Sequence, residues 1–164
     1  MASRGVHFSL SSDQLLKLLA TSNDDEVMSV IEELEDAWDQ EFLAESDKAW
    51  SAIHRCLTDG SLLFDGGEYP LNLVICGGRQ MFKGDEYTIS LVMPEQVKDV
   101  AIALSPVNQE WMRERYFSLL KSDDYEGEIG EADFQYTWDW FEDVQRLYFN
   151  AAAAERAAIF TVDA

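Results

Sequence analysis

Basic residues are scarce in this chain of 164 residues, which has 12 lysines and arginines against 32 aspartates and glutamates. The formal net charge at pH 7 is therefore −20. A surface of this kind repels nucleic acids and anionic membranes, and it attracts basic partners. The composition thus predicts a basic protein partner, with neither nucleic acid nor membrane bound. The alternative is that the acidity only keeps the protein soluble.

Cysteine, histidine and long apolar runs are scarce as well. Cys56 and Cys76 show no C-x-x-C spacing, which predicts reduced, partly buried thiols, while a single disulfide between them stays an open alternative. His7 and His54 are the only histidines, and no H-E-x-x-H motif is present. No run approaches the roughly 20 apolar residues of a membrane span, and the first residues lack the apolar stretch of a secretory signal. We therefore expect a cytoplasmic protein without a cofactor.

The longest helical pattern runs from Ala132 to Arg156. Its apolar residues recur every three or four positions and so form one stripe of a helix. The stripe consists of Phe134, Trp138, Phe141, Val144 or Gln145, Tyr148 and Ala151. Aromatic side chains bury roughly 150–250 Å² each, so this stripe is expected to anchor the core. Tyr136 and Trp140 lie off the stripe, on a neighbouring face of the same helix.

The remaining segments predict shorter helices and a few separated strands. Strands are predicted at Val6–Leu10, Tyr87–Met93 and Ala157–Val162. Helices are predicted over 13–21, from Asn23 onward, over Ser46–Leu57, from Pro94 to Leu104 and over Asn108–Leu120. The apolar run Pro70–Cys76 fits either a helix or a strand. Mixed elements of this kind indicate an α+β fold, with several helices around a small sheet in one compact domain, 1–164.

The helix that begins at Asn23 has one apolar and one acidic side. Its apolar side is expected to be buried in the core and consists of Val27, Ile31, Leu34, Trp38 and Phe42. Its acidic side carries Glu32, Glu33, Asp36 and Asp39. No basic residue lies between Lys17 and Lys48, so this side predicts an acidic surface without compensating charge.

Several segments, taken together, match a known pattern. Asp47–Trp50, followed by Ile53-His54 and Leu57-Thr58, is similar to the segment DKAW..LH..LT, and Pro70–Gly78 is similar to PL…GG. Tyr87–Leu104 is similar to a strand followed by PEEV..VA.AL. These segments resemble the YfbM-like family, which is catalogued as domain of unknown function 1877.

The resemblance to this family spans nearly the whole chain, because the aromatic end of the last helix and the strand Ala157–Val162 also resemble the family's closing elements. It implies a compact α+β fold. It implies no activity, since none is established for the family as a class. The sequence departs from the family pattern in two stretches that are more acidic than expected, Asp24–Glu45 and Ser122–Glu131.

One face of the helix predicted at Ser46–Leu57 carries Asp47, Trp50, Ser51 and His54. A carboxylate, a hydroxyl and an imidazole together can perform acid–base or nucleophilic chemistry. A small hydrolase or transferase that uses Asp47 and His54 is therefore one alternative hypothesis. The structural explanation is favoured, with Asp47 capping the helix and His54 hydrogen-bonded inside the fold, because no G-x-S-x-G motif accompanies Ser51.

The acidic loop before the last helix matches part of a calcium-binding pattern. Asp124, Glu126 and Asp133 occupy positions 3, 5 and 12 of an EF-hand loop that begins at Ser122. Ser122 replaces the first carboxylate, and Asp133 is shorter than the usual bidentate glutamate. Because any acidic loop can match such a pattern by chance, we predict no metal site, and these three residues are only weak calcium candidates.

The strongest functional indication is the combination of acidic side chains with aromatic ones. Acids steer a basic partner toward the surface, and aromatic residues can supply a binding hot spot. We predict a non-enzymatic, acidic protein-binding module, such as an immunity-type inhibitor that neutralises a basic toxin. Alternatives are a nucleic-acid mimic and a globular protein with a metabolic ligand. The predicted partner-binding residues are Glu32, Glu33, Asp36, Asp39, Asp123, Asp124, Glu126, Trp140 and Asp143.

Overall fold

The centre of the protein is an antiparallel sheet, and its last strand in sequence is the middle one in space. The computed structural model describes residues 3–163. Within these residues the sheet has the strand order β2–β1–β5–β4–β3. The strands are β1 (Gly5–Leu10), β2 (Leu43–Asp47), β3 (Arg79–Gln80), β4 (Tyr87–Val92) and β5 (Ala157–Asp163). β2 and β3 therefore form the two edges.

The middle strand β5 is buried on both faces. Ala158, Phe160 and Val162 belong to the core on one side of the sheet, whereas Ala157 and Ile159 belong to the core on the other side. Successive side chains of a strand point to opposite faces. An almost wholly apolar strand therefore needs cover on both sides, and helices provide it.

The helices divide unequally between the two faces. They are α1 (Ser12–Leu19), α2 (Asp24–Ala37), α3 (Trp50–Leu57), α4 (Pro94–Leu104), α5 (Gln109–Leu119) and α6 (Glu131–Ala153). α1 and α2 cover one face, and α3 to α6 pack into the larger core on the other. Side-chain caps fix three of the helix starts, because Ser11, Asn23 and Asn108 accept hydrogen bonds from the first turns.

α6 is the main helix of the larger core, as predicted. Its buried residues include every member of the predicted aromatic stripe, with Val144 rather than Gln145, and also Thr137 and Leu147. Phe134, Phe141 and Tyr148 are fully buried. The fold is α+β, as the sequence predicts.

The polar groups inside the larger core are few and mostly paired. His7 on β1 is fully buried, and its Nε2 donates to the carbonyl of Val74 at 2.7 Å. Burial lowers the pKa of His7 to about 4, so the imidazole is neutral. Cys56 and Cys76 are buried free thiols, and burial raises the pKa of Cys56 to about 12. Both thiols are thus protonated and unreactive.

The predicted start of the third helix is wrong. Ser46 and Asp47 end strand β2 instead of beginning a helix, and α3 starts only at Trp50. Asp47 adopts a left-handed φ of 47°, which breaks the strand and prevents it from continuing directly into a helix. Of the two alternatives for the run Pro70–Cys76, the strand does not form, and the helix is limited to a short 3-10 helix at Leu71–Leu73.

The prediction that Trp38 lies in the core is also wrong. Trp38 ends α2 in the left-handed conformation, with a φ of 40°, so its side chain leaves the helical stripe. It remains 36% exposed and packs edge-on against the ring of Phe8, with 6.1 Å between ring centres. Phe42 lies beyond the helix in a 3-10 turn, Gln40–Phe42, that leads into β2.

None of the helices within residues 3–163 combines the length and the apolar character that crossing a bilayer requires.

Candidate functional site

The structure separates the residues of the hydrolase hypothesis. Asp47 lies at the end of β2, where its carboxylate accepts a hydrogen bond from the hydroxyl of Tyr136 and pairs with Arg4 at 3.3 Å. His54 is buried in α3, and its Nε2 donates to the carbonyl of Leu63 at 2.9 Å. Ser51 is buried and accepts from Arg55. These three side chains serve different partners, and the structure does not unite them in one site.

The calcium candidates are separated in the same way. The carboxylate of Asp124 contacts the guanidinium of Arg55 at 2.5 Å. The carboxylate of Asp133 accepts hydrogen bonds from the hydroxyls of Tyr116 and Tyr125, at 2.5 and 2.8 Å. Glu126 is exposed. Within residues 3–163, no three potential ligands from His, Cys, Asp and Glu gather around a point where a metal ion would fit.

Most carboxylates within the described residues form no ion pair. Among residues 3–163, six of the 32 acids form an ion pair, each with a different basic residue. Two further arginines are bound within the fold: Arg115 donates to the carbonyls of Cys56 and Thr58, and Arg156 donates to Ser9. Eight of the 12 basic residues are thus engaged by carboxylates or by polar groups of the fold, which leaves most of the negative charge within residues 3–163 without an ion pair.

A groove with a volume of about 280 Å³ lies beside the edge strand β2 and against α6. One wall comes from the segment before and within β2 and consists of Gln40, Glu41, Leu43, Ala44 and Glu45. The other wall comes from one side of α6 and consists of Trp140, Asp143, Arg146, Leu147 and Asn150. We call this feature the β2–α6 groove. A depression of about 160 Å³ shares Glu41, Leu147 and Asn150 with it and extends it to Arg156.

Helical geometry explains why α6 can serve the core and the groove at once. Trp140, Asp143, Leu147 and Asn150 are separated by three or four residues and so form a second stripe beside the core stripe. Leu147 is buried, Trp140 is half-buried and Asn150 is exposed. This stripe is therefore the boundary between the interior and the solvent.

Tyr136 fixes the geometry at one end of the groove. Its hydroxyl donates to Asp47 and accepts from the backbone N–H of Lys48 at 3.2 Å, so it ties the end of β2 to α6. Burial and the bond to Asp47 raise the pKa of Tyr136 to about 12. The Tyr136 ring also packs edge-on against Trp140, with 6.3 Å between ring centres. Trp140 is thus held in place by a fixed neighbour.

The charges in the groove are mainly negative and only partly compensated. Asp143 pairs with Arg146 at 2.8 Å. Glu41 and Glu45 are exposed and belong to none of the six ion pairs found in residues 3–163. Arg156 lies over the ring of Phe42 at 3.9 Å and is held there by its bonds to Ser9. The groove therefore offers two carboxylates and a tryptophan without a reactive nucleophile, which suits recognition of a cation.

The predicted partner-binding residues do not all lie near this groove. Trp140 and Asp143 line it. Asp39 caps the 3-10 turn next to it, with its carboxylate accepting from the N–H of Glu41 at 3.2 Å. The other six residues lie elsewhere, on α2 or in the loop before α6: Glu32, Glu33, Asp36, Asp123, Asp124 and Glu126.

The sequence did not predict the groove residues on the β2 side, Glu41 and Glu45. Glu41 lies within the helix predicted from Asn23 onward, whose apolar side was expected to include Phe42, and Glu45 directly precedes the helix predicted at Ser46, so the strand β2 was not predicted. The run Leu43–Asp47 places two acids in a strand of only five residues, which masks the alternation of apolar and polar residues. The combination of acidic and aromatic residues on one helix is the signal that pointed to Trp140 and Asp143 on the opposite wall.

The fold and the groove define a small α+β protein with an acidic groove at one edge of its sheet. The chain belongs to the family described as a domain of unknown function, DUF1877, whose model matches residues 1–161. The predicted resemblance to the YfbM-like family is thereby confirmed.

Comparison with solved structures supports the same fold. The chain is similar to the crystal structure of YfbM, a protein of unknown function from Escherichia coli, with a TM-score of 0.68 and 18% sequence identity. The match covers 98% of this chain and 99% of that one. At this level of identity the likeness shows a shared fold and carries no residue roles. No curated protein matches the sequence.

Proposed function

We propose that this protein is a non-enzymatic module that binds a basic protein through the β2–α6 groove, as an immunity-type inhibitor neutralises a basic toxin. The observation that carries the proposal is the pair of carboxylates without an ion pair, Glu41 and Glu45, in one groove with the half-buried Trp140. The role of an inhibitor is the specific form of this proposal, and binding of a basic partner is its general form.

The physical chemistry of the groove favours a lysine or arginine side chain as the recognised group. A cation over the face of a tryptophan gains about 0.5–2 kcal/mol, more where the site excludes water. The carboxylates of Glu41 and Glu45 add charge complementarity, which mainly raises the association rate and the specificity. A volume of about 280 Å³ accommodates a long basic side chain together with part of its backbone.

The geometry gives no comparable support to the hydrolase or transferase hypothesis. The carboxylate of Asp47 accepts from Tyr136, and His54 donates to the carbonyl of Leu63, so the two side chains are engaged by different partners. Burial, the largest effect on His54, lowers its pKa, and a buried neutral imidazole with a backbone partner has a structural role. We therefore propose binding as the function and no reaction.

The test is capture of a partner from a lysate of the source cells at low and at high salt. The same capture is repeated with a variant in which the charge of the groove is reversed. We expect a basic protein to be retained at low salt, released at high salt and lost with Glu41→Lys combined with Glu45→Lys. The matched control is Glu110→Lys combined with Glu114→Lys, which makes the same change of charge on exposed residues of α5. Equal loss with both double variants would show that only the net charge matters, and the groove would be excluded as the site.

The inhibitor form of the proposal has its own test. The captured protein is assayed for its activity with and without a stoichiometric amount of this protein. We expect inhibition that the groove variant abolishes and the α5 variant preserves. Full activity of the bound partner would exclude the inhibitor role while leaving the binding function in place.

A further inference from the structure

We infer that the partner binds by strand addition: an extended basic segment pairs its main chain with the free edge of β2 and places alternate side chains in the β2–α6 groove. This inference rests on the proposed function and specifies its geometry. It follows from the position of β2 in the sheet, from the residues that line the groove, and from the charge at this edge.

β2 is the terminal strand of the sheet and pairs with β1 on one side only. A terminal strand presents main-chain N–H and C=O groups that can pair with another extended chain. Leu43, Ala44 and Glu45 are consecutive in this strand, and all three line the groove. Because consecutive side chains point to opposite faces of a sheet, a groove that reaches all three runs along the edge of the strand.

The lengths of the two walls agree with an extended segment of about five residues. β2 has five residues, which span about 17 Å at 3.4 Å per residue. From Trp140 to Asn150, α6 rises about 15 Å at 1.5 Å per residue. An added strand would therefore meet the α6 wall of the groove, which includes Trp140, Asp143 and Leu147, and every second side chain would face that wall.

The opposite edge of the sheet is a poor site for the same interaction. β3 has only two residues, Arg79–Gln80, and Lys83 follows shortly after it. A strand of this length offers few main-chain groups, and its basic side chains repel a basic segment. Strand addition is therefore expected at β2 and not at β3.

Charge identifies the occupant as a basic segment of another protein and not as a second copy of this chain. Pairing two β2 edges would bring Glu41 and Glu45 of one copy close to the same residues of the other. Like charges facing each other across a strand pair are destabilising, and each chain carries a net charge of −20. A segment with arginine or lysine at alternate positions instead brings opposite charges together.

The probe for the experiment is a nine-residue peptide that alternates arginine and threonine, used with two N-methylated versions. One version is methylated at the arginine amides and the other at the threonine amides, so charge and composition stay equal. Because alternate amides of an extended chain point to opposite sides, one version loses the N–H groups that face β2 and the other keeps them. Affinity is measured by tryptophan fluorescence at low salt, and the site is located by NMR shifts of the protein's amides.

We expect one methylated version to bind at least tenfold more weakly than the other, with the largest amide shifts in Leu43–Asp47. Glu45→Lys should weaken binding of the unmethylated peptide at least tenfold, and Glu110→Lys should leave it unchanged. Equal affinities of the two methylated versions, or the largest shifts at Arg79–Gln80, would exclude strand addition at β2 while leaving the proposed function intact. Failure of all three peptides to bind at low salt would exclude both strand addition at β2 and the proposed binding function.

Discussion

Two acidic stretches of this protein look alike in sequence and serve different purposes in the structure. In Asp123–Asp133, the carboxylates of Asp124 and Glu131 pair with arginines, and Asp133 accepts two tyrosine hydroxyls. In Glu32–Glu45, Glu33 alone forms an ion pair within the described part of the chain. The first stretch holds the fold together, and the second supplies negative charge to the surface and to the groove.

The difference comes from what lies beside each stretch. The loop that contains Asp124 passes over the end of α3, where the side chain of Arg55 is only 4% exposed and needs a negative partner. Glu32–Glu45 passes through a part of the chain that has no base between Lys17 and Lys48. Arg156 lies close enough to interact with Asp39 and Glu41, but its hydrogen bonds go to Ser9 and its guanidinium lies over the ring of Phe42. An acidic composition therefore does not by itself indicate a binding surface.

Asp133→Ala should produce the largest effect, a loss of about 3 kcal/mol in the free energy of unfolding. The substitution removes the acceptor of two tyrosine hydroxyls, and Tyr116 is fully buried and Tyr125 nearly so. A buried donor without a partner costs about 1–3 kcal/mol. Burial, together with the bonds to Asp133, raises the pKa of both tyrosines, so both hydroxyls remain donors. The measurement is urea unfolding at pH 7.

Asp123→Ala is the control for this prediction, because Asp123 is an exposed neighbour in the same loop. Its effect should stay within about 0.5 kcal/mol. Equal, small effects of the two substitutions would mean that the carboxylates of Asp123–Asp133 do not stabilise the fold. The difference between the two acidic stretches would then be disproved.

Asp124→Asn should cost about 1–2 kcal/mol, less than a fully buried ion pair. Arg55 is buried, but Asp124 is 59% exposed, so solvent screens part of the interaction. Arg55 also keeps hydrogen bonds to the carbonyls of Gly60 and Asp124. The measurement is urea unfolding at 0.05 and 0.5 M salt. A cost that disappears completely at high salt would show that the pair behaves as a surface pair.

Glu32→Gln should have the opposite sign and stabilise the protein by a few tenths of a kcal/mol. Glu32 lies three and four residues before Glu35 and Asp36 on α2, and like charges at this spacing destabilise a helix by about 0.2–0.5 kcal/mol. The gain should disappear at high salt. The measurement is the melting temperature at the same two salt concentrations, and a loss of stability at low salt would indicate an unrecognised partner of Glu32.

The smallest expected effect is the pH dependence of stability that Glu35 causes. It tests the same acidic face of α2 as Glu32→Gln. Burial, and then the carboxylates of Glu32, Asp36 and Asp163, raise the pKa of Glu35 above its usual value. The folded state thus binds this proton more readily than the unfolded state, so Glu35 destabilises the fold at pH 7, and this cost is removed as the pH falls through its raised pKa. NMR titration of the Glu35 carboxyl carbon measures this pKa directly. A pKa at or below that of a free glutamate would show that positive charge compensates the acidic surface around Glu35.

The regular elements of this fold are largely predictable because they depend on local patterns. The stripe of α6, the caps Ser11, Asn23 and Asn108, and the apolar strand β5 each follow from residues close together in the chain. The errors occur where the chain changes direction. Trp38 and Asp47 both adopt left-handed conformations without the glycine that usually marks one, so no local signal indicated the end of the helix or the strand.

The groove was only half predictable. Trp140 and Asp143 were identified from acids and aromatics on one helix. Glu41 and Glu45 were not, because they meet α6 only through the position of β2 at the edge of the sheet. The pairing of Tyr136 with Asp47 joins residues separated by 89 positions, and no pattern within either segment specifies it.

The amino-acid sequence alone determined the family, the α+β class, the aromatic core stripe and the amount of negative charge, since each depends on composition or on spacing along the chain. Only the tertiary structure decided which carboxylates are neutralised and which face the solvent. The reason is that an ion pair acts over a few ångströms in space, and the partner of Asp124 lies 69 residues away along the chain. The same holds for the groove, which exists only where an edge strand and the last helix come together.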